Sequence, residues 1–293
     1  MSNPKNLKVG WEFKVPNQSV NFFERTAVMR ITDSVFDIDD KRLEYRCIEP
    51  DDATLTTDAL VMLHEGLGSI DLWKSFPEDL AKATGCRVFI YSRYGYGRST
   101  ALSEKRSVEY MHDEALNVLP NFLKHIGVVS PILVGHSDGA SIALIHNGGG
   151  HDVNGLVLMA PHVFVEELTV QSIQQARLAF EKTELPQKLG RYHDNVESAF
   201  WGWNDIWLSP QFKSWNIETY VERINCESLL IQSDNDPYGT LAQIEVIEKL
   251  SPAPTQRVIL EDCGHSPHAA QPTATLEAIV QFVGDILNET RYE

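Results

Sequence analysis

Short apolar runs alternate with longer segments of helical character along most of the chain. One such helical segment is 107–126, where apolar residues recur at helical spacing. Two further strands are predicted at 34–38 and 43–48, joined by a polar turn. The apolar runs lie at 59–63, 87–91, 131–134, 155–159, 228–232 and 256–260. This alternation predicts an α/β fold, with a mostly parallel central sheet and helices on both of its faces.

The alternation stops after the run at 155–159. Residues 161–221 are helical in character, contain no run typical of a parallel core strand, and carry four of the six tryptophans. Strands and helices alternate again from 222 onwards. The sequence therefore predicts a core made of residues 1–160 and 222–293, with a helical insertion at 161–221.

A serine motif follows the apolar run at 131–134. Residues 135–139 read Gly-His-Ser-Asp-Gly, the G-x-S-x-G pattern, and a segment of helical character comes next. A strand, a sharp turn and a helix are the setting of a nucleophile elbow. Such a turn needs very small neighbours, and Gly135, Gly139 and Ala140 meet that need. Ser137 is therefore the candidate nucleophile.

A serine nucleophile needs a base, and the base needs an acid to orient it. The strand predicted at 228–232 is followed by two carboxylates, Asp234 and Asp236. The strand predicted at 256–260 is followed by two histidines, His265 and His268. From these residues alone, either member of each pair is a candidate.

Two more motifs complete a resemblance to a known family. Residues 64–69, His-Glu-Gly-Leu-Gly-Ser, resemble an H-G-x-x-G-S oxyanion loop, and residues 93–99 resemble a G-x-G-x-S loop. With the elbow and the order serine, acid, histidine, the chain resembles the α/β-hydrolase fold superfamily over nearly its whole length. The resemblance implies that the insertion at 161–221 is a helical cap. It also favours Asp236 over Asp234, and His265 over His268, since Gly264-His265 matches the family's G-H signature.

The resemblance implies serine-hydrolase chemistry. Ser137 would attack a carbonyl group, His265 would take its proton, and Asp236 would orient His265. The backbone N–H groups of Gly66 and Asp138 would form the oxyanion hole. The chain departs from the family at Glu65, where glycine is usual, and at Ser92, where aspartate is frequent. No cofactor is required by this chemistry.

Five residues are candidates for substrate binding: Glu65, His162, Trp201, Trp203 and Trp207. Glu65 would either bind loop N–H groups or an arginine, or face the mouth of the pocket and disfavour anionic substrates. On a helix, Trp203 and Trp207 share a face that Trp201 does not. One of these two sets is expected to pack on the cap core, and the other to roof the cleft above Ser137. An apolar roof favours a compact uncharged substrate.

The net charge and the remaining motifs disfavour several kinds of partner and cofactor. The net charge of −16 disfavours partners such as nucleic acid and anionic membranes. A metal site of the H-E-x-x-H type and a dinucleotide fingerprint are both disfavoured, because Gly68 and Thr100 stand where histidine and glycine are needed. The chain begins without a signal-peptide pattern, and its four cysteines form no C-x-x-C. We therefore expect a cytoplasmic protein with a small-molecule substrate and no metal, and homo-oligomer formation stays open.

The fold does not dictate the reaction. The leading hypothesis is a serine hydrolase that cleaves a small uncharged carboxylic ester or lactone. Other activities of the same scaffold are the alternatives: a C–C bond hydrolase, a hydroxynitrile lyase, a haloperoxidase or a thioesterase. A non-enzymatic small-ligand receptor is the third hypothesis, although a receptor need not keep a complete set of serine, acid and histidine.

Overall fold

The computed structural model describes residues 29–50 and 59–289, which form an eight-stranded sheet flanked by helices. The strands are β1 (Met29–Ile38), β2 (Lys41–Pro50), β3 (Ala59–Leu63), β4 (Arg87–Tyr91), β5 (Ile132–His136), β6 (Gly155–Met159), β7 (Ser228–Ser233) and β8 (Thr255–Leu260). The helices are α1 (Phe76–Thr84), α2 (Tyr110–Asp113), α3 (Leu119–Ile126), α4 (Asp138–Gly148), α5 (Glu167–Lys182), α6 (Leu185–Leu189), α7 (Val196–Trp207), α8 (Glu218–Val221), α9 (Ala242–Leu250), α10 (Pro267–Ala270) and α11 (Pro272–Glu289). Among the described residues, none of the helices combines the length and apolar character that crossing a membrane requires.

The sheet is parallel apart from one strand. Its order is β1-β2-β4-β3-β5-β6-β7-β8, and β2 runs antiparallel to both of its neighbours. From β4 to β8 every neighbouring pair is parallel. Because parallel strands begin and end at the same edges, the residues that follow β3, β5, β7 and β8 come together at one edge. The mostly parallel sheet predicted from the sequence is confirmed.

Apolar cores cover both faces of the sheet. Along β3, Val61 and Leu63 belong to the core that packs under α3 and α4, whereas Leu60 and Met62 belong to the core under α1 and α11. Successive side chains on a strand point to opposite faces, so a strand covered on both sides is apolar throughout. This is why β3, β5 and β6 appear in the sequence as unbroken apolar runs.

One predicted helix differs in detail. The helix expected at 107–126 begins at Tyr110, and a π-helical turn, Glu114–Val118, separates α2 from α3. Glu114 is buried in this turn and accepts a 2.6 Å hydrogen bond from the hydroxyl of Tyr91. The wide turn thus coincides with a buried carboxylate that has a partner on the neighbouring strand.

Four helices, α5 to α8, lie between β6 and β7, in the stretch predicted as an insertion. Phe164 before α5 pairs with Asn216 before α8, so the two ends of the stretch lie side by side. Inside the stretch, Phe180 of α5 stacks on Phe200 of α7 with ring centroids 3.8 Å apart. The division into a core and a separate cap domain stays a prediction.

Candidate active site

The turn between β5 and α4 has a backbone conformation that serine rarely adopts. Ser137 has φ 53° and ψ −117°. A Cβ atom at position 135 would come within 2.5 Å of the Ala140 Cα, and one at position 139 would collide with the carbonyl oxygen of Leu63. Only glycine fits at these two positions. The two glycines therefore let the elbow lie close to β3, with Ser137 just beyond the carboxyl end of β5.

Three candidate residues from distant parts of the chain meet beyond the carboxyl ends of β5, β7 and β8. The Oγ of Ser137 lies 3.0 Å from Nε2 of His265. Nδ1 of His265 lies 2.9 and 2.8 Å from the two carboxylate oxygens of Asp236. An ionised carboxylate only accepts hydrogen bonds, so Nδ1 carries the proton and Nε2 can accept one from the serine. The Ser137 side chain is enclosed, with 5% of the residue exposed.

The carboxylate of Asp236 is held by groups besides the imidazole. The backbone N–H of Tyr238 donates to Oδ1 at 2.8 Å, and Nε2 of Gln232 donates to Oδ2 at 3.1 Å. Burial by itself would raise the pKa of Asp236, but the hydrogen bond and charge of His265 prevail and hold this pKa below its ordinary value. Asp236 is thus kept ionised in a fixed orientation. Gln232 was not among the residues predicted from the sequence.

The two alternative residues have other neighbours. Asp234 accepts the backbone N–H of Asp262 at 2.9 Å and stabilises the turn after β8. The ring of His268 lies 4.5 Å from the ring of Trp73, and burial lowers the pKa of His268 to about 3. The structure brings Asp236 and His265 to Ser137, and it brings neither of the alternatives there.

The two predicted oxyanion donors belong to the helix after the serine and to the loop after β3. Asp138 is the first residue of α4, so its backbone N–H has no partner inside the helix. Its buried side chain accepts a 2.7 Å hydrogen bond from the Tyr110 hydroxyl and lies 3.7 Å from Nη2 of Arg93. Gly66 lies under the indole of Trp203, which a Cβ atom at position 66 would strike. The indole of Trp203 thus lies against the loop that contains one of the two predicted donors.

Arg93 is a buried residue that the sequence reasoning missed. Its guanidinium Nη2 donates to the carbonyl oxygens of His64 at 3.2 Å and Glu65 at 2.8 Å. Its backbone N–H also donates to Nε2 of His64 at 3.0 Å. The arginine therefore fixes the backbone of the loop that contains Gly66. A charged residue two positions after the apolar strand β4, at the start of the motif at 93–99, was the available signal.

Glu65 is directed at a histidine that the sequence analysis did not consider. Its Oε2 lies 3.4 Å from Nδ1 of His136, and 18% of its side chain is exposed. Burial opposes ionisation of Glu65, but His136 holds the pKa of Glu65 well below its ordinary range. The partner of the carboxylate is thus a histidine rather than the loop N–H groups or the arginine of the first predicted alternative. The second alternative, a position at the mouth of the pocket, stays a prediction. A lone sequence cannot reveal a contact between residues this far apart.

Two of the predicted substrate-binding aromatics lie over the site. Trp203 and Trp207 share one face of α7, as predicted. Trp203 covers Gly66, and the ring of Trp207 lies 5.2 Å from the ring of His162. The ring of His162 lies in turn 5.8 Å from that of His265. Ring contacts thus link Trp207 of α7 to the imidazole of His265 through His162.

Trp201 is not brought to this space. Its Nε1 donates to Glu197 at 2.6 Å, and the guanidinium of Arg177 lies 5.2 Å from its ring. It also lines a surface groove together with Leu102 and Arg106. Residues two apart on a helix point to different faces, which is why Trp201 and Trp203 cannot both face the serine. The prediction of Trp201 as a substrate-binding residue stays a prediction, and its contacts with Glu197 and Arg177 do not support it.

The histidines near the site contact one another as rings. The ring of His136 lies 5.1 Å from that of His265 and 5.0 Å from that of His268. In the ranges 29–50 and 59–289, no three histidine, cysteine, aspartate or glutamate side chains are grouped as metal ligands would be. We therefore assign no described residue to a metal or cofactor.

Acid is expected to destabilise the fold. Burial lowers the pKa of His146 and His162 to about 4, and that of His268 to about 3, from an ordinary value of 6.5. Below pH 6.5 the unfolded chain binds these protons and the folded chain does not, so the free energy of unfolding falls as pH falls. The expected loss is on the order of 1 kcal/mol for each histidine between pH 6.5 and 5.5. Urea unfolding at a series of pH values measures it.

His146→Gln provides the control for this prediction. His146 donates to the carbonyl of Ala115 at 2.7 Å and lies apart from Ser137 and His265. Removing its titration should make the pH dependence less steep without abolishing it, because other histidines whose pKa burial lowers would remain. A free energy of unfolding that stays constant from pH 7 to 5 would contradict the expectation.

Comparison with known proteins agrees with this architecture. A model described as the alpha/beta hydrolase family matches residues 60–278 of the chain. The matched range includes the elbow, the loops around Gly66 and Arg93, and the positions of Asp236 and His265. It covers most of the chain.

Solved structures share the fold at low sequence identity. A proline iminopeptidase from Mycobacterium smegmatis is 14% identical, over 87% of this chain and 98% of that one, with a TM-score of 0.71. A structure reported with carboxylesterases of Nitrososphaera gargenis is 15% identical, over 87% and 100%, with a TM-score of 0.71. A putative lipase from Acinetobacter baumannii is 17% identical, over 88% and 93%, with a TM-score of 0.68. These likenesses concern the fold.

Proposed function

The chain belongs to the alpha/beta hydrolase family, and from this premise we propose that it is a serine hydrolase acting on a small uncharged carboxylic ester or lactone. The observation that carries the proposal is the hydrogen-bonded series Ser137, His265 and Asp236, with 3.0 Å between Oγ and Nε2. A nucleophile, a base and an orienting acid in this arrangement support acyl transfer.

The first step is attack by the serine. As Oγ of Ser137 approaches the carbonyl carbon, Nε2 of His265 takes its proton, and the carboxylate of Asp236 stabilises the imidazolium that forms. The C–O bond then breaks, and the imidazolium gives its proton to the leaving oxygen. Water attacks the acyl-enzyme by the same route and releases the acid. In a lactone the leaving oxygen remains attached to the acyl group until that last step.

The negative charge that develops on the substrate's carbonyl oxygen during the attack needs hydrogen-bond donors to stabilise it. We assign this role to the backbone N–H groups of Asp138, directly after Ser137, and of Gly66, in the loop after β3. The N-terminus of α4 also favours negative charge there. One such donor contributes about 3–4 kcal/mol to transition-state stabilisation. Arg93 supports the arrangement by holding the carbonyls of His64 and Glu65, so that the peptide of Gly66 stays in place.

The roof suggests the size of the substrate. We infer that residues 161–221 act as a cap whose indoles, Trp203 and Trp207, close over the serine. The ring of Trp207 lies 5.2 Å from that of His162, and Trp203 covers Gly66, which supports an aromatic enclosure over the serine. A compact or aromatic acyl group fits such a space better than a long alkyl chain.

A panel of esters and lactones tests the proposal. With p-nitrophenyl esters of increasing acyl length, we expect kcat/KM to be highest for short or aromatic acyl groups, and to fall about tenfold or more beyond about ten carbons. Trp203→Ala should extend the accepted length, because its indole lies over Gly66. Steady-state kinetics with the chain-length series measures both effects.

Trp201→Ala is the matched control on the same helix. Its side chain contacts Glu197 and Arg177 on the other face, so the chain-length profile should be unchanged. A profile that keeps rising past ten carbons contradicts the inferred roof. No hydrolysis of any ester, lactone or vinylogous diketone would contradict the enzyme itself and favour a ligand receptor.

A further inference from the structure

His136 stands directly before the serine and touches two other loops of the site. The residue is fully buried at the end of β5. Its Nε2 lies 2.7 Å from the backbone carbonyl oxygen of His265, and its Nδ1 lies 3.4 Å from Oε2 of Glu65. One imidazole thus joins the elbow, the loop after β3 and the loop after β8.

The two ring nitrogens of His136 have different partners. A carbonyl oxygen cannot donate, so Nε2 carries the proton of its hydrogen bond to His265. Nδ1 makes no hydrogen bond within the described residues, but the carboxylate of Glu65 lies within ion-pair distance of it, and a negative charge so close to a buried ring favours its protonated, positively charged form. Burial disfavours a charged His136, but Glu65 outweighs burial and raises the pKa of His136, while the pKa of Glu65 is lowered.

The positive ring also lies close to the general base of the proposed reaction. The ring centroids of His136 and His265 are 5.1 Å apart. At such a distance a like charge disfavours a second proton on a neighbouring imidazole. His136 therefore acts on His265 in two ways: it binds the backbone carbonyl of His265, and its charge acts on the imidazole of His265.

We propose that His136, kept charged by Glu65, is a positioning residue that anchors the backbone of His265 and disfavours protonation of its imidazole. This inference rests on the proposed function, in which His265 is the base. The base would then stay uncharged, and able to accept the serine proton, at a lower pH than without the pair.

Other ionisable groups also face the rings of His136 and His265 and influence how readily these rings bind a proton. Asp236 binds Nδ1 of His265, and the rings of Tyr238 and His162 lie 4.7 and 5.8 Å from the His265 ring. His268 lies 5.0 Å from His136, and burial keeps its pKa at about 3, so it is uncharged near neutrality. Among these neighbours of His265, the charged groups are thus Asp236 and the imidazolium of His136.

Two substitutions separate the charge of His136 from its hydrogen bond. His136→Gln keeps an N–H that can donate to the carbonyl of His265 but removes the charge. We expect the pH at half-maximal kcat/KM on the acidic side to rise by about one unit, with the plateau little changed. His136→Leu removes both, so kcat on the plateau should also fall about 10- to 100-fold with KM little changed.

Glu65→Gln gives the sharpest result. If Glu65 acted on His265 directly, removing its negative charge would lower the half-maximal pH. If it acts through His136, the buried ring loses its counter-charge and its extra proton, so the half-maximal pH should rise, as in His136→Gln. His268→Gln is the matched control, since it replaces an uncharged buried histidine and should leave the half-maximal pH unchanged.

A measurement without turnover separates this inference from the proposed function. With histidine labelled by carbon-13 at Cε1, NMR titration of the full chain follows each imidazole, and single variants assign the ten histidines. His136 should stay protonated above pH 7, and the titration of His265 should move up by about one unit in His136→Gln and in Glu65→Gln. Such shifts in a protein that hydrolyses nothing would support the pair and reject the proposed function.

The opposite results overturn the inference. Active wild-type protein in which His136 loses its proton below pH 6 shows that no imidazolium is held there. This titration uses wild-type protein, so it decides even where a variant fails to fold. The half-maximal pH could also fall in Glu65→Gln, or stay the same in folded His136→Gln. Either result would mean that the contact between His136 and Glu65 has no effect of the proposed kind on His265.

Discussion

Ser137→Ala is expected to lower kcat on a responsive ester by roughly 10⁶-fold, the loss typical of removing the nucleophile from such a set of residues. The hydroxyl lies 3.0 Å from Nε2 of His265 and has no substitute once it is gone. A fluorophosphonate probe should label wild-type protein at Ser137 and leave the variant unlabelled. Intact-protein mass spectrometry, followed by peptide mapping, measures the label and places it.

Ser141→Ala is the control for this experiment. Ser141 is also buried, lies one turn further along α4, and donates to the carbonyl of His162 at 2.6 Å. Labelling at Ser137 should survive this change, because Ser141 has no contact with the base. A label on any residue other than Ser137, or an active Ser137→Ala variant, would falsify the assignment of the nucleophile.

Asp236→Asn is expected to lower kcat by about 10⁴-fold, with little change in the fold. In the native protein Oδ2 accepts from Gln232 Nε2, and both carboxylate oxygens face Nδ1 of His265. An amide group would present an N–H to one of these donors. The imidazole would then favour the tautomer with its proton on Nε2, which cannot accept the proton of Ser137. Steady-state kinetics, with circular dichroism to monitor folding, measures the loss.

Asp234→Asn is the matched change two residues earlier. Asp234 binds the backbone N–H of Asp262 and has no contact with His265, so the variant should keep most of its activity. The reverse ranking of the two variants would transfer the role of the acid to Asp234. Equal and small losses in both would mean that His265 needs no orienting carboxylate.

Much of the fold was predictable because its signals are local. A strand covered on both faces must be apolar throughout, and β3, β5 and β6 follow that rule. The elbow could be located for the same reason, since its tight turn leaves no room for a Cβ atom at positions 135 and 139 and so requires glycine there. Local chemistry and the order of the motifs also put Asp236 and His265 forward, and the structure places both beside the serine.

The remaining features depend on contacts between distant residues. Nothing in the sequence around Glu65 indicates that its partner is His136, because the two residues meet only through the register of β3 and β5. The direction of Trp201 depends on how α7 rotates against α5, which helical spacing alone does not determine. The π-helical turn at Glu114–Val118 likewise coincides with a tertiary contact, the hydrogen bond from Tyr91.

The distance along the chain between the groups of the site has a consequence for folding. Ser137 and His265 are 128 positions apart, and the strands that carry them are separated in the sheet by two others. Closing so long a loop costs entropy before any contact compensates for it, and parallel sheets of high contact order fold slowly for this reason. An intermediate that has formed only β3 to β6 would contain the elbow but not the base. Recovery of activity during refolding would therefore report the arrival of β7 and β8, later than probes of helix content or of the central strands.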